Sequence, residues 1–171
     1  MAGSLIKVAE TTITSSVSSV SLTGIDSTYD VYMLVFTNTT GDTDGQTLGI
    51  RVTKSGTAQS DANYDRAYKS LRAFTAFGNA GATNETQFYI GNLGTGNSEF
   101  SNNNLYLFNF PNASEYSFVT VESAVRDEVD RLFGIAGGFV HTVASASDGV
   151  NIFVASGNIA GGTFTLYGLK K

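Results

Sequence analysis

The chain has no cysteine and no tryptophan, and only one histidine and one proline among its 171 residues. Without cysteine there is no disulfide framework and no thiolate zinc site, and the redox state of its compartment leaves no mark on the sequence. A zinc centre built on nitrogen is excluded too, because one imidazole cannot supply the three or four ligands such a site needs. Cations are scarce: ten Lys and Arg stand against fifteen Asp and Glu, for a formal charge of −5. The only adjacent pair is Lys170 and Lys171. A nucleic-acid groove needs clustered cations to displace counterions from phosphates, so none is expected. No apolar run approaches the roughly 20 residues that span a bilayer. The opening "MAGSLIKVAETT" holds no apolar segment of signal-peptide length. The expectation is a soluble chain that uses no membrane and no cofactor.

Catalytic chemistry finds little support. The single imidazole, His141 in "GGFVHTVAS", sits in a strand-like run and reads as an ordinary surface or half-buried strand histidine rather than as a general base. A glycosidase needs only two carboxylates, but a sugar platform beside them normally uses aromatic surface, and tryptophan is missing. Asp42 and Asp44 in "GDTDG" supply half of a calcium loop without its third position or closing glutamate, and read as an Asp-Gly turn. The glycines of "GNLGTGN" miss the spacing of a phosphate cradle. Sequons at Asn38, Asn84 and Asn112 read as chance matches in a chain rich in Asn, Ser and Thr. The chain is not expected to be an enzyme.

Abundant residues tell more. Nineteen Gly, twelve Phe and eight Tyr, with much Ser, Thr and Asn, describe short strands joined by turns. The clearest strands are "YDVYMLVFT" (29–37), "TLGIRVT" (47–53), "TQFYIG" (86–91), "NLYLFNF" (104–110), "EYSFVTVES" (115–123), "GVNIFVA" (149–155) and "GTFTLYGL" (162–169). "TGDTDGQ" (40–46) is expected to close a hairpin. "SDANYDRAYKSLRAF" (60–74) and "VRDEVDRLF" (125–133) place apolar residues at helical spacing, so each is a helical turn or two, or else a charged hairpin tip. The whole, residues 1–171, is expected to form one all-β domain, an antiparallel β-sandwich of jelly-roll type.

"YMLVF" and "LYLFNF" are apolar on both faces, which calls for cover on both sides. In the second, Tyr106, Phe108 and Phe110 alternate with Leu105 and Leu107. The aromatic set is expected in the core, and Leu105 and Leu107 at a subunit interface. The most biased stretch, "GNLGTGNSEFSNNN" (91–104), is expected to be a long polar loop. Its Asn92, Asn97, Phe100, Asn102 and Asn103 form a candidate surface-contact set.

The order of these features resembles a family of small virion-surface proteins of tailed bacteriophages, of the cyanophage and marine-phage type. The matching segments are "VSLTGIDSTYDVYMLVFT" (20–37), "ANYDRAY" (62–68), "NNLYLFNFPNASEYSFVTVES" (103–123) and the closing "SGNIAGGTFTLYGLKK". The charged "VRDEVDR" departs from the uncharged turn expected at its place. The resemblance implies a β-protein on the virion surface, assembled in the bacterial host cytoplasm. Its first expected role is capsid decoration or cement, with the major capsid protein as a partner and three-fold self-association. The alternative is a tail-fibre or tail-tip module that adheres to host glycans through its Asn- and Gly-rich loops.

Overall fold

Alternating apolar and polar residues, rich in Val, Ile, Thr and aromatics, build thirteen strands and no helix among the described residues. The computed structural model describes residues 4–170. The strands are β1 (Ser4–Ile13), β2 (Ser19–Thr23), β3 (Val31–Gly41), β4 (Gln46–Lys54), β5 (Thr57–Ala58), β6 (Tyr64–Arg72) and β7 (Gly78–Glu85). They continue with β8 (Phe88–Leu93), β9 (Ser101–Phe108), β10 (Ser117–Arg126), β11 (Leu132–His141), β12 (Gly149–Val154) and β13 (Ile159–Lys170). All seven segments expected as strands overlap these elements, five of them with one or two residues left outside at one end.

Two antiparallel sheets pack face to face as a β-sandwich. The larger has eight strands in the order β1-β13-β3-β9-β10-β11-β6-β7, and the smaller runs β2-β12-β4, with β5 and β8 sharing the far edge of β4. A frame is visible within this arrangement. β1, β13, β3 and β9 form one of its layers and β2, β12, β4 and β8 the other. Two insertions, β5 to β7 and β10 with β11, interrupt the frame along the chain. Four of the inserted strands, β10, β11, β6 and β7, continue the large sheet beyond β9.

The core lies between the sheets. Tyr32, Leu34 and Phe36 of β3, Leu105 and Leu107 of β9, and Phe164 and Leu166 of β13 face Leu22, Ile50, Val52, Val150 and Ile152, all buried. Side chains of this size contribute roughly 1.5–3 kcal/mol each when fully buried. The expected inside and outside of β9 are therefore exchanged. Leu105 and Leu107 are 0% and 1% exposed, whereas Tyr106 is 39% exposed, so the leucines are core and not interface. Register decides this: Leu105 and Leu107 stand opposite Leu34 and Tyr32 on β3, and a one-residue slip would turn the whole strand over. Phe110 is buried as expected, but by another route. Asn109 adopts a positive φ of 62°, which breaks the alternation after Phe108 and turns Phe110 inward.

Three other expectations change. Segment 40–46 is no hairpin, because β3 and β4 lie in different sheets. It crosses between the layers, and Asp42 pins it to the turn before β13, its carboxylate accepting from the Asn158 backbone N–H at 2.7 Å and side-chain amide at 2.8 Å. Segments 60–74 and 125–133 contain no helix. The first carries β6, a strand in place of either reading, and the second is the charged hairpin tip between β10 and β11, as its second reading has it. The expected long loop 91–104 shrinks to residues 94–100, since β8 reaches Leu93 and β9 starts at Ser101.

Candidate functional site

The insertions build two surfaces. The first is a cleft of about 260 Å³ lined by Arg72, Phe74, Tyr89, Asn92, Asp127, Glu128, Arg131 and Phe133. It opens where the inserted half of the large sheet meets β8. Arg72 ends β6, Tyr89 and Asn92 come from β8, and Phe133 lies near the start of β11.

The tip between β10 and β11 supplies the remaining polar groups and is locked by its own sequence. Asp127 Oδ1 accepts the N–H groups of Val129 at 3.2 Å and Arg131 at 2.9 Å, while Oδ2 accepts the Arg131 guanidinium through Nε at 3.1 Å and Nη2 at 2.9 Å. Asp130 takes a positive φ of 61°, and Arg126 pairs with its carboxylate at 2.6 Å. Burial alone would raise the Asp127 pKa, but the hydrogen bonds from Arg131 and Val129 outweigh it and hold the carboxyl below its usual range. Asp127 is therefore an ionised scaffold. The Arg131 guanidinium also covers the Phe74 ring at 4.0 Å.

Those contacts spend Asp127 and Arg131 on each other. Arg72 forms no ion pair among the described residues, which leaves its guanidinium, the Glu128 carboxylate and the Asn92 amide facing the cleft. Tyr89 adds a hydroxyl that lies 3.3 Å from Asn92 Oδ1, and burial pushes its pKa up to about 12. Its ring stacks on that of Tyr68, with centroids 5.8 Å apart. A guanidinium fork, an amide and a carboxylate between aromatic walls suit a hydroxyl-rich ligand carrying an acidic group.

The second surface is the outer face of the large sheet. Tyr106 and Phe118 are 39% and 46% exposed there, beside a strip of small residues on β11 and β6.

The expected surface-contact set does not come together. Asn92 lines the cleft. Asn97 and Phe100 are exposed in the 94–100 loop, whose Gly96 N–H donates to Glu99 Oε2 at 2.6 Å. Asn102 supports the backbone instead, its Oδ1 accepting the Asn38 N–H at 2.9 Å, where Asn38 has a φ of 52°. Asn103 is buried at 2% exposure and donates to Ser101 Oγ at 2.9 Å. His141 is also buried rather than at the surface, and its Nδ1 has no hydrogen-bond partner among the described residues. Among the described residues no group of His, Asp and Glu is placed to hold a metal ion.

Sequence reasoning missed Arg72, Tyr89 and Arg131. Only Arg131 had a signal, the i, i+4 spacing of Asp127 with Arg131 beside that of Arg126 with Asp130, in the very segment that departs from the family resemblance. Comparison of the chain with protein-family models, curated proteins and solved structures gives no match in any of the three.

Proposed function

We propose that this chain is a structural subunit of a bacteriophage virion surface, a capsid decoration or cement protein docked on the major capsid protein. The observation that carries the reading is the strand order of the frame. We read β1, β13, β3 and β9 against β2, β12, β4 and β8 as the order of a jelly roll, an architecture used in viral shells and in lectins. Fold alone does not fix function, so a second feature matters: the large sheet leaves aromatic side chains uncovered on its outer face, as a subunit of an assembly does. The resemblance of the closing "GTFTLYGLKK" and the central segments to phage surface proteins agrees with both.

The cleft around Arg72 and Tyr89 supports a second reading, host adhesion through a glycan at a tail fibre or tail tip. One experiment separates the two. Virions of a phage that encodes this chain are imaged by cryo-electron microscopy, and its density is sought. Density over the capsid lattice is the expected result, density at the tail tip selects adhesion, and absence from the particle overturns both.

A further inference from the structure

The outer face of the inserted strands is ordered into rows by strand register. One row runs Tyr106, Thr120, Gly138, Ala67, Gly81 from β9 across to β7. The next runs Asn104, Glu122, Ala136, Lys69, Asn79. Along the middle, β11 contributes Gly134, Ala136 and Gly138 between taller neighbours, so the face is a trough. It widens at one end into a groove of about 660 Å³ among Ala67, Gly81, Phe118, Gly138 and Val140, and at the other into one of about 330 Å³ among Leu71, Phe77, Leu132 and Gly134. Phe77 and Leu132 are 65% and 56% exposed there.

We propose that this trough binds a second copy of the chain face to face, about a two-fold axis running along β11. Such an axis reverses every row onto itself. In these two rows Glu122 of each copy then meets Lys69 of the other, Tyr106 meets Gly81, and Gly138 meets Gly138, so charge faces opposite charge and Tyr106 stands over a glycine, while in the row through Val140 Phe118 meets Asp65. A two-fold axis across the strands would set Glu122 against Glu122 and Lys69 against Lys69, which like-charge repulsion disfavours. A surface that fits its own reversal selects an identical partner. Its size is adequate: five strands about 4.8 Å apart, with about 3.3 Å of rise per residue, offer roughly 700 Å² per copy. A standard interface buries about 800 Å² on each side.

The inference rests on the reading of this face as an assembly surface but not on the virion. It replaces the three-fold association that the family resemblance implies with a two-fold one.

Sedimentation equilibrium across a wide dilution range provides the test. The wild-type chain is expected at twice its 18.0 kDa mass, dissociating on dilution. Gly138→Arg fills the trough and is expected to be monomeric yet folded, because a Cβ at Gly138 finds its nearest neighbour, Val119 O, at an ordinary 3.7 Å. Glu122→Lys and Lys69→Glu are each expected to weaken self-association by about tenfold or more, and an equimolar mixture of the two to form a heterodimer at least as tight as wild type. Should Gly138→Arg fail to fold, the charge-reversed pair decides alone. A wild-type mass of one chain at every concentration overturns the proposal, as does a mass of three, or a mixture that associates no better than either variant. A virion-located chain that stays monomeric defeats this inference and spares the proposed function, and a dimer absent from virions does the reverse.

Discussion

His141 and Tyr64 stand opposite one another on β11 and β6, with ring centroids 4.8 Å apart and exposures of 2% and 1%. The Tyr64 hydroxyl donates to the Gln59 carbonyl at 2.6 Å and accepts the Val52 N–H at 3.2 Å, so the phenol ties β6 to the small sheet. The imidazole beside it has no hydrogen-bond partner for Nδ1 among the described residues. Burial, helped by the nearby charge of Lys54, lowers the His141 pKa to about 4.

The sign of the pH effect follows. Below pH 6.5 the unfolded chain takes up a proton that the folded chain refuses, so this contribution is complete above pH 6.5 and is lost as pH falls toward 4. The loss should reach roughly 2–3 kcal/mol across that window. His141→Asn should flatten the dependence of the urea midpoint on pH between 6.5 and 4 while leaving assembly at neutral pH intact. Parallel wild-type and variant curves in that window refute the assignment.

Replacing Leu105 or Leu107 with Ala should cost about 2–5 kcal/mol, as expected for a leucine truncated in a close-packed core. Tyr106→Ser, at a dilution where the chain is monomeric, should stay within about 1 kcal/mol of wild type. Urea denaturation of the three variants checks the ordering, and a tyrosine variant weaker than both leucine variants contradicts the register described for β9.

Asn102→Ala removes the acceptor for the Asn38 N–H and should destabilise by about 1 kcal/mol. Adhesion to host cells, if the chain adheres, should not change. A variant with wild-type stability and reduced adhesion would move Asn102 back to a contact role.

Residues 95–98 should be replaceable by a short Gly-containing turn without a change in melting temperature, because they lie on an exposed tip. Deleting the whole of 91–104 should prevent folding, since it removes Leu93, which is 0% exposed, and the buried Asn103. Circular dichroism of the two variants tests this, and equal stability of both would mean that β8 and β9 end elsewhere.

Arg72→Ala should abolish whatever binding of acidic oligosaccharides the cleft shows, with Asp127 and the tip unaffected, because Arg72 is no part of the Asp127–Arg131 lock. Titration with polyuronate fragments, followed by amide chemical shifts of Tyr89 and Asn92, provides the measurement. Shifts that persist in the variant place the ligand outside the cleft.

The strands rich in β-branched and aromatic residues were legible because their propensity and pattern agree. β7, "GNAGATNE", was not, since an edge strand of small and polar residues carries no hydrophobic signal. β6 was ambiguous for a simple reason: Tyr64 and Tyr68 are four apart, a spacing that satisfies a strand's period and a helix's alike. The exchange of faces on β9 could not be read from that strand alone. Both of its faces are apolar, and only pairing with β3 chooses between them. The cleft was illegible because its residues come from β6, β8 and the β10–β11 tip, and no local spacing records such a meeting.

β1 lies along β13, from Ser4 opposite Lys170 to Ile13 opposite Gly162, and β13 also pairs with β3. β1 is thus synthesised well before its sheet partner. At ~5–20 residues per second, β1 waits roughly 10–30 s on the ribosome before that partner emerges. Hairpins such as β6 with β7 and β10 with β11 are free to close in the meantime, while β1 and one edge of β3 stay open. Contacts of such sequence separation make for a slow folder, and the inserted strands are ready before the frame that carries them.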